Sequence, residues 1–402
     1  MRFRLTPTPE QETGLLAHCA DARFVWNLGL EQMNLYRPVW GPTPNYNQQS
    51  AQLTEARREF PWLADGSQTV QQQALKDLRQ AFQIWWKNPG HFGRPTWRRY
   101  GVHEGFRIVG PQAQRWERTG KKVGRVLVPK VGWVSFRWSR HPGQPKSYRI
   151  KQDRAGRWWI SFATIPDQID GPGDGSVVGI DRGVVKSFVT STGKIVQSPT
   201  LTDSERKTVL RLKRKLSRQQ KGSANKAKTL RRIARIEHRG INRRKDTIEK
   251  FTTELARTAD IVKIEDLKIK NMARSAKGTV DEPGTNVAQK RGLNRAILQQ
   301  GWGLFEQRLE HKIGDRLIKV PAAHTSQRCN PCGHTAKENR ESQAVFCCRS
   351  CGHTENADVY AARNIADGLP NERRDSLPRH CTTPKVDVRS EKQEPPKHAL
   401  LV

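Results

Sequence analysis

Residues 326–365 read SQRCNPCGHTAKENRESQAVFCCRSCGHTENADVYAARNI and hold five of the chain's seven cysteines. Cys329 and Cys332 form one CxxC pair, Cys348 and Cys351 a second, and each pair is followed by Gly-His. Two tight turns that each present two thiolates can close one tetrahedron. The doubled spacing therefore predicts a zinc ribbon over 326–354 with one structural Zn²⁺. Cys347 adjoins Cys348 and could compete, but only Cys348 repeats the two-residue gap. His334 and His353 sit one residue too far along to be needed. Such a site contributes on the order of 10 kcal/mol to folding. It does not explain Asp358, an acid that follows directly in the helical stretch NADVYAARNIADGL.

The rest of the chain supplies the context. Its 402 residues suit about two or three domains. The formal net charge is +33, which repels itself unless a long polyanion neutralises it. Nucleic acid is the partner class this predicts, and nothing resembles a membrane anchor. The start, MRFRLTPTPEQE, lacks the apolar stretch of a signal peptide, and no run of about 18 apolar residues occurs. With cysteines used as metal ligands, this reads as a cytoplasmic, nucleoid-associated protein in a reducing compartment. An RNA-coating protein of ribosomal type is the lesser alternative that the charge leaves open.

Along the chain, RFRL reads as a strand, followed by a helical pattern with Pro9 near its start. Two further helices lie within 45–88, and the Gln71–Gln73 run of the second is polar. From about 92 to 168, alternating runs such as VGRVLVPKVGWVSFRWS predict a small barrel or sheet. IDGPGDG, 169–175, reads as a linker. SVVGIDRGVVKSFVTSTGKIV predicts two strands, the second ending in an STGK hairpin loop. Residues 204–258 are helical and interrupted by KGSANK, which predicts an antiparallel pair. Positions 201–250 carry eighteen Lys or Arg against five Asp or Glu. ADIVKIEDLKIKNM is a buried strand, and NRAILQQGWGLFEQRLEHKIGDRL a single helix around Gly-Trp-Gly. Residues 370–402 read as a disordered tail.

Three acids stand at the ends of these elements. Asp181 closes the apolar run VVGID, where a carboxylate is costly unless it is paired or holds a metal. Glu265 ends IVKIE, with Asp266 beside it as an open alternative. Asp358 precedes Ala361 and Ala362, small enough to let its helix approach a sheet. Asp181 paired to Arg182 and Asp358 on a solvated helix face also stay open. Three acids on two strands and one helix suit two Mg²⁺ ions, about 3.5–4 Å apart, in phosphodiester hydrolysis.

The chain resembles the TnpB family of transposon-encoded RNA-guided DNA endonucleases, over most of residues 1–369. RFVWN, PWLADGSQTVQQQALKDLRQAF, VPKVGWVSFRWSR, GIDRGV, VKIEDLKIKNM, LNRAILQQGWGLFEQRLEHK, HTSQRCNPCGH and CRSCGHTENADVYAARNI carry the resemblance, in the family's order. It implies an α/β multidomain fold. Residues 1–168 would be a small wedge β-barrel with a helical recognition insert (about 10–90). Residues 176–369 would be an RNase H-like (RuvC) nuclease domain holding the basic helix pair and the inserted zinc ribbon. It assigns Asp181, Glu265 and Asp358 as Mg²⁺-binding catalytic acids, and places the zinc insertion just before the helix carrying the last of them. It implies a guide RNA of the omega type from the transposon end, double-stranded target DNA, and one chain per RNA, with a dimer left open. By position it suggests Tyr46, Gln48, Ser50, Gln68, Thr69 and Gln72 as readers of a short motif beside the target; Gln can pair with adenine in the major groove. Two departures stand out: Tyr360 where the family has Asn, and His324 in HTSQ where it has Tyr. A non-cleaving RNA-guided repressor and a compact type V CRISPR effector are the alternatives of different class.

Overall fold

The computed structural model describes residues 1–36, 39 and 43–368; the charged tail at 370–402 lies outside the described residues. The chain is a mixed α/β protein in two compact units, one of Met1–Asp167 with Pro199–Asp246, the other of Gln168–Ser198 with the described part of Thr247–Val402. Among the described residues no helix is long and apolar enough to cross a membrane.

In the first unit, strand β1 (Arg2–Arg4) leads into α1 (Pro9–Leu35). Thr8 and Gln11 form a capping box there, with Pro9 in the first turn, where its missing N–H costs nothing. Helices α2 (Tyr46–Glu59), α3 (Pro61–Ala64) and α4 (Gln68–Lys87) follow. Then come β2 (Gly105–Val109), β3 (Trp116–Arg118), β4 (Val123–Val128), β5 (Gly132–Arg137), β6 (Ser147–Gln152) and β7 (Trp158–Phe162). These strands make two antiparallel sheets, β1-β7-β6-β2 and β3-β4-β5. Phe3, Phe106, Val126, Phe136, Ile150 and Ile160 bury the inner faces of both in one core with α1 and α4.

The expected closed barrel is not what forms. Leu5 joins the sheets on one side by a single bridge to Phe136, reinforced by Thr6 N donating to Ser135 O at 2.9 Å. On the other side the chain leaves β2 through a 3₁₀ turn at Gly110–Gln114, and no ladder joins β2 to β3 among the described residues. Alternation identifies strands, but the turn at Pro111 breaks the closing ladder. Helices α5 (Asp203–Ser217) and α6 (Ala224–Thr258) pack through Val209, Leu212, Ile233 and Ile236. The pairs Glu205–Arg243 (2.5 Å) and Lys213–Glu237 (3.6 Å) run in opposite sequence directions, so the two helices are antiparallel.

The second unit is built on β8 (Val177–Asp181), β9 (Phe188–Thr190), β10 (Ile195–Val196), β11 (Ile261–Glu265) and β12 (Leu317–Val320), ordered β10-β9-β8-β11-β12. β8, β11 and β12 are parallel, whereas β9 and β10 return antiparallel. Phe188, Phe251 and Phe305 stack in the core. The expected single helix around Gly-Trp-Gly is two: after the single turn α7 (Ile269–Met272), α8 (Val287–Gln300) stops at Gly301 and α9 (Trp302–Ile313) begins there. Gly301 is left-handed (φ 79°, ψ 25°), a conformation that ends a helix at little cost only for glycine. The hairpin of β13 (Val345–Cys347) and β14 (Thr354–Asn356) leads into α10 (Ala357–Asp367).

Candidate active site and metal centre

Parallel pairing of β8 with β11 sets Ile180 opposite Ile264. One step further, Asp181 and Glu265 therefore stand side by side at the carboxyl ends of adjacent strands, where open α/β sheets place their ligands. Burial pushes the Asp181 carboxyl up to about 7, and the charges of Glu265 and Asp358 add to it; Arg340 opposes the shift. Glu265 is buried and also raised by burial, offset by Thr325, whose Oγ1 donates to it at 2.6 Å, and by Arg182. The Arg182 side chain does not neutralise Asp181. It pairs with Glu306 (3.1 Å) and donates to the Glu265 carbonyl. Asp266 is exposed and paired with Lys268 at 2.5 Å, so strand alternation turns it away from the other acids.

The third acid arrives on α10. Asn356 caps this helix, accepting from the amides of Asp358 (3.2 Å) and Val359 (3.3 Å). The helix lies directly on β8. A Cβ at Gly179 would meet the Ala362 carbonyl oxygen at 2.1 Å and the Ala366 nitrogen at 2.4 Å, so only glycine fits beneath the alanine face. The Asp358 carboxylate pairs with Lys186 (2.8 Å) and Arg340 (3.4 Å). The three acids thus share one electrostatic neighbourhood, but they do not converge as ligands. Among the described residues, the cysteines are the group whose ligand atoms all lie within 4.8 Å of one another.

That group is Cys329, Cys332, Cys348 and Cys351, the four expected, and it forms a Cys₄ zinc-binding site. Sγ–Sγ distances are 3.6 Å for Cys329–Cys351 and 3.5 Å for Cys332–Cys348. The repeated Gly-His now has a reason. Cys329 N donates to His334 O (2.8 Å) and Gly333 N to Cys329 O (2.8 Å); Cys348 N donates to His353 O (2.8 Å) and Gly352 N to Cys348 O (2.9 Å). Each glycine takes a positive φ, 74° and 73°, so the two turns are copies of one another. Four thiolates at this spacing fit a tetrahedral Zn²⁺. Cys347 belongs to the β13–β14 ladder and is not in the group.

Sequence reasoning missed two residues of α10. Tyr360, noticed only as a departure from a family pattern, is buried and stacks on Phe346 at 4.1 Å. Its hydroxyl donates to Cys329 Sγ at 3.6 Å and accepts from Asn330 N at 2.5 Å. Asn364 Nδ2 donates to the carbonyls of Thr325 and Arg328, both at 2.8 Å. One helix thus carries Asp358, touches a zinc ligand and holds the segment whose Thr325 orients Glu265.

The six motif-reading candidates occupy the first turns of two helices in the other unit. Tyr46, Gln48 and Ser50 start α2; Gln68, Thr69 and Gln72 start α4. Gln48 and Gln68 are exposed, and Tyr46 has the Lys76 ammonium 5.2 Å from its ring centroid. Gln48 also closes the Asn45 capping box. Their neighbours Gln71 and Gln73 are buried: Gln71 bonds Arg57 (2.5 Å) and Leu63 O (2.9 Å), and Gln73 accepts from Arg107 at 2.8 Å.

Three family models match stretches of the chain. The OrfB_IS605 family model, described as "Probable transposase", matches residues 163–276. A "Cas12f1-like, TNB domain" model matches 302–365 and a "Helix-turn-helix domain" model 1–37. The "Putative RNA-guided DNA endonuclease InsQ" of Escherichia coli K12 is 37% identical over 90% of both chains. A "Putative RNA-guided DNA endonuclease" of Streptomyces pristinaespiralis is 30% identical over 92% of this chain and 89% of its own. Among solved structures, "Cryo-EM structure of CRISPR-Cas12f Ternary Complex" matches 89% of this chain and 82% of that one, at 16% identity and a TM-score of 0.32. With more than a third of residues shared along nine tenths of a relative, the chain belongs to the OrfB/IS605 family, the TnpB proteins.

Proposed function

We propose that this protein is an RNA-guided endonuclease that hydrolyses double-stranded DNA at Asp181, Glu265 and Asp358. The observation that carries this reading is the buried acid pair. Two carboxylates end adjacent parallel strands, a third arrives on a packed helix, and Asp181 is pushed up to about 7 by burial and by the other two. Structural ion pairs normally lower a carboxylate's pKa, so this arrangement reads as a site waiting for positive charge. The order of the five-stranded sheet supports an RNase H-like (RuvC) domain over 176–369. In the same scheme, residues 1–168 form the wedge and recognition part, 169–175 the linker, and 326–354 the zinc ribbon.

The donor chemistry fits two Mg²⁺ ions, hard cations that take carboxylate oxygens. When bound, they supply an acidified water and neutralise charge on the leaving oxygen. Asp181, Glu265 and Asp358 would hold them, with Lys186 and Arg340 giving up Asp358. Thr325 fixes the Glu265 carboxylate, and Tyr360 and Asn364 fix the helix that presents Asp358. The basic helix pair suits the backbone of a guide RNA from the transposon end, leaving sequence to base pairing. Tyr46, Gln48, Ser50, Gln68, Thr69 and Gln72 would read the adjacent motif in duplex DNA. One chain per RNA, in a cytoplasmic, nucleoid-associated setting, completes the reading.

Alanine at Asp181, Glu265 or Asp358 tests it. Each variant, purified with its RNA, should bind RNA and target nearly as the parent does but fail to cut in Mg²⁺. A variant that cuts at the parental rate removes that acid from the site. A parent that binds but never cuts makes the protein a guided DNA binder.

A further inference from the structure

The outer face of the sheet β1-β7-β6-β2 takes no part in the site above. Its inner residues, among them Phe3, Ile150 and Ile160, fill the core, so the residues between them face outward. Register then builds a row across the sheet: Arg4 opposite Trp159, and Trp159 opposite Lys151. A second row runs Arg2, Ser161, Arg149. One tryptophan thus stands in the middle of a cationic sheet face.

Two pockets meet at that ring, of about 490 and 380 Å³, both lined by Arg2 and Trp159. Each volume falls within the range of about 300–1,000 Å³ typical of small-ligand sites. The first is also lined by Arg149, Lys151 and Arg154, the second by Arg4, Arg137 and Arg157. The acids nearby are already committed. Asp153 accepts from Arg157 and from the Trp159 indole, both at 2.9 Å, and Glu104 pairs with Arg23 at 2.9 Å. The Arg2 guanidinium lies 4.2 Å from the Trp159 ring centroid, and that of Arg4 lies 5.3 Å away. Arg4 Nη1 is buried and has no hydrogen-bond partner among the described residues. Burial holds both Arg2 and Arg4 below the usual guanidinium range; the neighbouring Arg157 charge adds to the shift and Asp153 opposes it.

We infer that this sheet face binds single-stranded nucleic acid, with one unpaired base on the Trp159–Arg2 stack and the flanking phosphates on Arg4 and Arg137 on one side and Lys151 and Arg154 on the other. Bases stack on aromatic rings and guanidinium planes whatever their sequence, which suits a single tryptophan among cations. Duplex is excluded from this role because its bases are already stacked. The inference rests on the RNA-guided reading only for the source of the strand, guide RNA or displaced DNA.

The test uses the full chain and two oligonucleotides of about 12 residues, oligo(U) RNA and oligo(dT) DNA, each with one photoreactive iodopyrimidine. Illumination should attach the probe to the peptide containing Trp159. The double variant Lys151→Glu/Arg154→Glu changes only exposed residues. It should weaken binding by about tenfold or more and flatten the log–log salt slope by about 1.4, two phosphates at about 0.7 each. Trp159→Phe should keep the crosslink and Trp159→Leu lose it, with thermal melts confirming that both fold. Crosslinking of RNA alone assigns the strand to the guide, and of DNA alone to the displaced strand; both would mean the site ignores the sugar. Crosslinks confined to other peptides overturn the inference, as does unchanged affinity in the charge-reversed and leucine variants. Cutting plays no part in this readout, so failure of the nuclease reading is separately visible.

Discussion

Asp181 carries a carboxyl raised from an ordinary 3.8 to about 7, with burial the first cause. Between those values the folded chain holds a proton that the unfolded chain has released. Folding stability therefore falls as pH rises from about 4 to about 7 and levels above, at about 1.4 kcal/mol per unit. In zinc-replete, magnesium-free buffer, Asp181→Asn should melt above the parent at pH 8, with the gap closing toward pH 4. A gap independent of pH would mean Asp181 is not the strained group. Tyr360 acts on the other metal. Outer partners of metal ligands typically contribute 10–100-fold in affinity. Tyr360→Phe should thus loosen zinc by about tenfold in chelator competition while Phe346 stacking persists, and unchanged affinity would reduce the hydroxyl to a spacer. Asp181 was legible in the sequence because an acid inside an apolar run demands a reason. Tyr360 was not, because its partner, Cys329, lies 31 positions away.

Elements were legible where one local period decides them, and misread where a distant ladder or a single dihedral does. The alternating strands of the first unit and the capped start of α1 belong to the first kind. The open edge between β2 and β3 and the break at Gly301 belong to the second, since the apolar spacing runs on through Gly-Trp-Gly. The polar run Gln71–Gln73 gave no sign that Gln71 and Gln73 are buried, because nothing local announces Arg57 and Arg107 as their partners. The seam between β8 and α10 was half visible: Ala361 and Ala362 predicted close approach, but the matching gap at Gly179 needed the fold. Gly179→Ala drives a methyl into backbone atoms of α10 that cannot rotate away. We expect a loss of roughly 3 kcal/mol, the upper range for overpacking, read from the urea midpoint, together with loss of cutting as Asp358 moves. Gly292→Ala, within α8 and with nothing within 4 Å of the new methyl, should instead gain roughly 0.5–1 kcal/mol. Equal effects at the two positions would dismiss the seam.

At the scale of the molecule, the +33 charge was legible from composition alone, but its arrangement was not. Strand alternation and helix pairing in the first unit spread cations over a sheet face and a helix pair, and each neutralised phosphate releases counterions. About eight contacts give a log–log salt slope near −6 for guide-RNA binding; a slope near zero would separate the charge from the RNA. The three acids all lie in the second unit. Removing Asp181 or Glu265 relieves a buried charge there and leaves the cationic faces intact. On the proposed reading, abandoning cleavage through either of these two acids is a downhill step in stability, open to a single codon change in a lineage carrying this gene. Descendants that still find their targets but leave them whole should arise readily, and only continued selection for cutting keeps the acids in place.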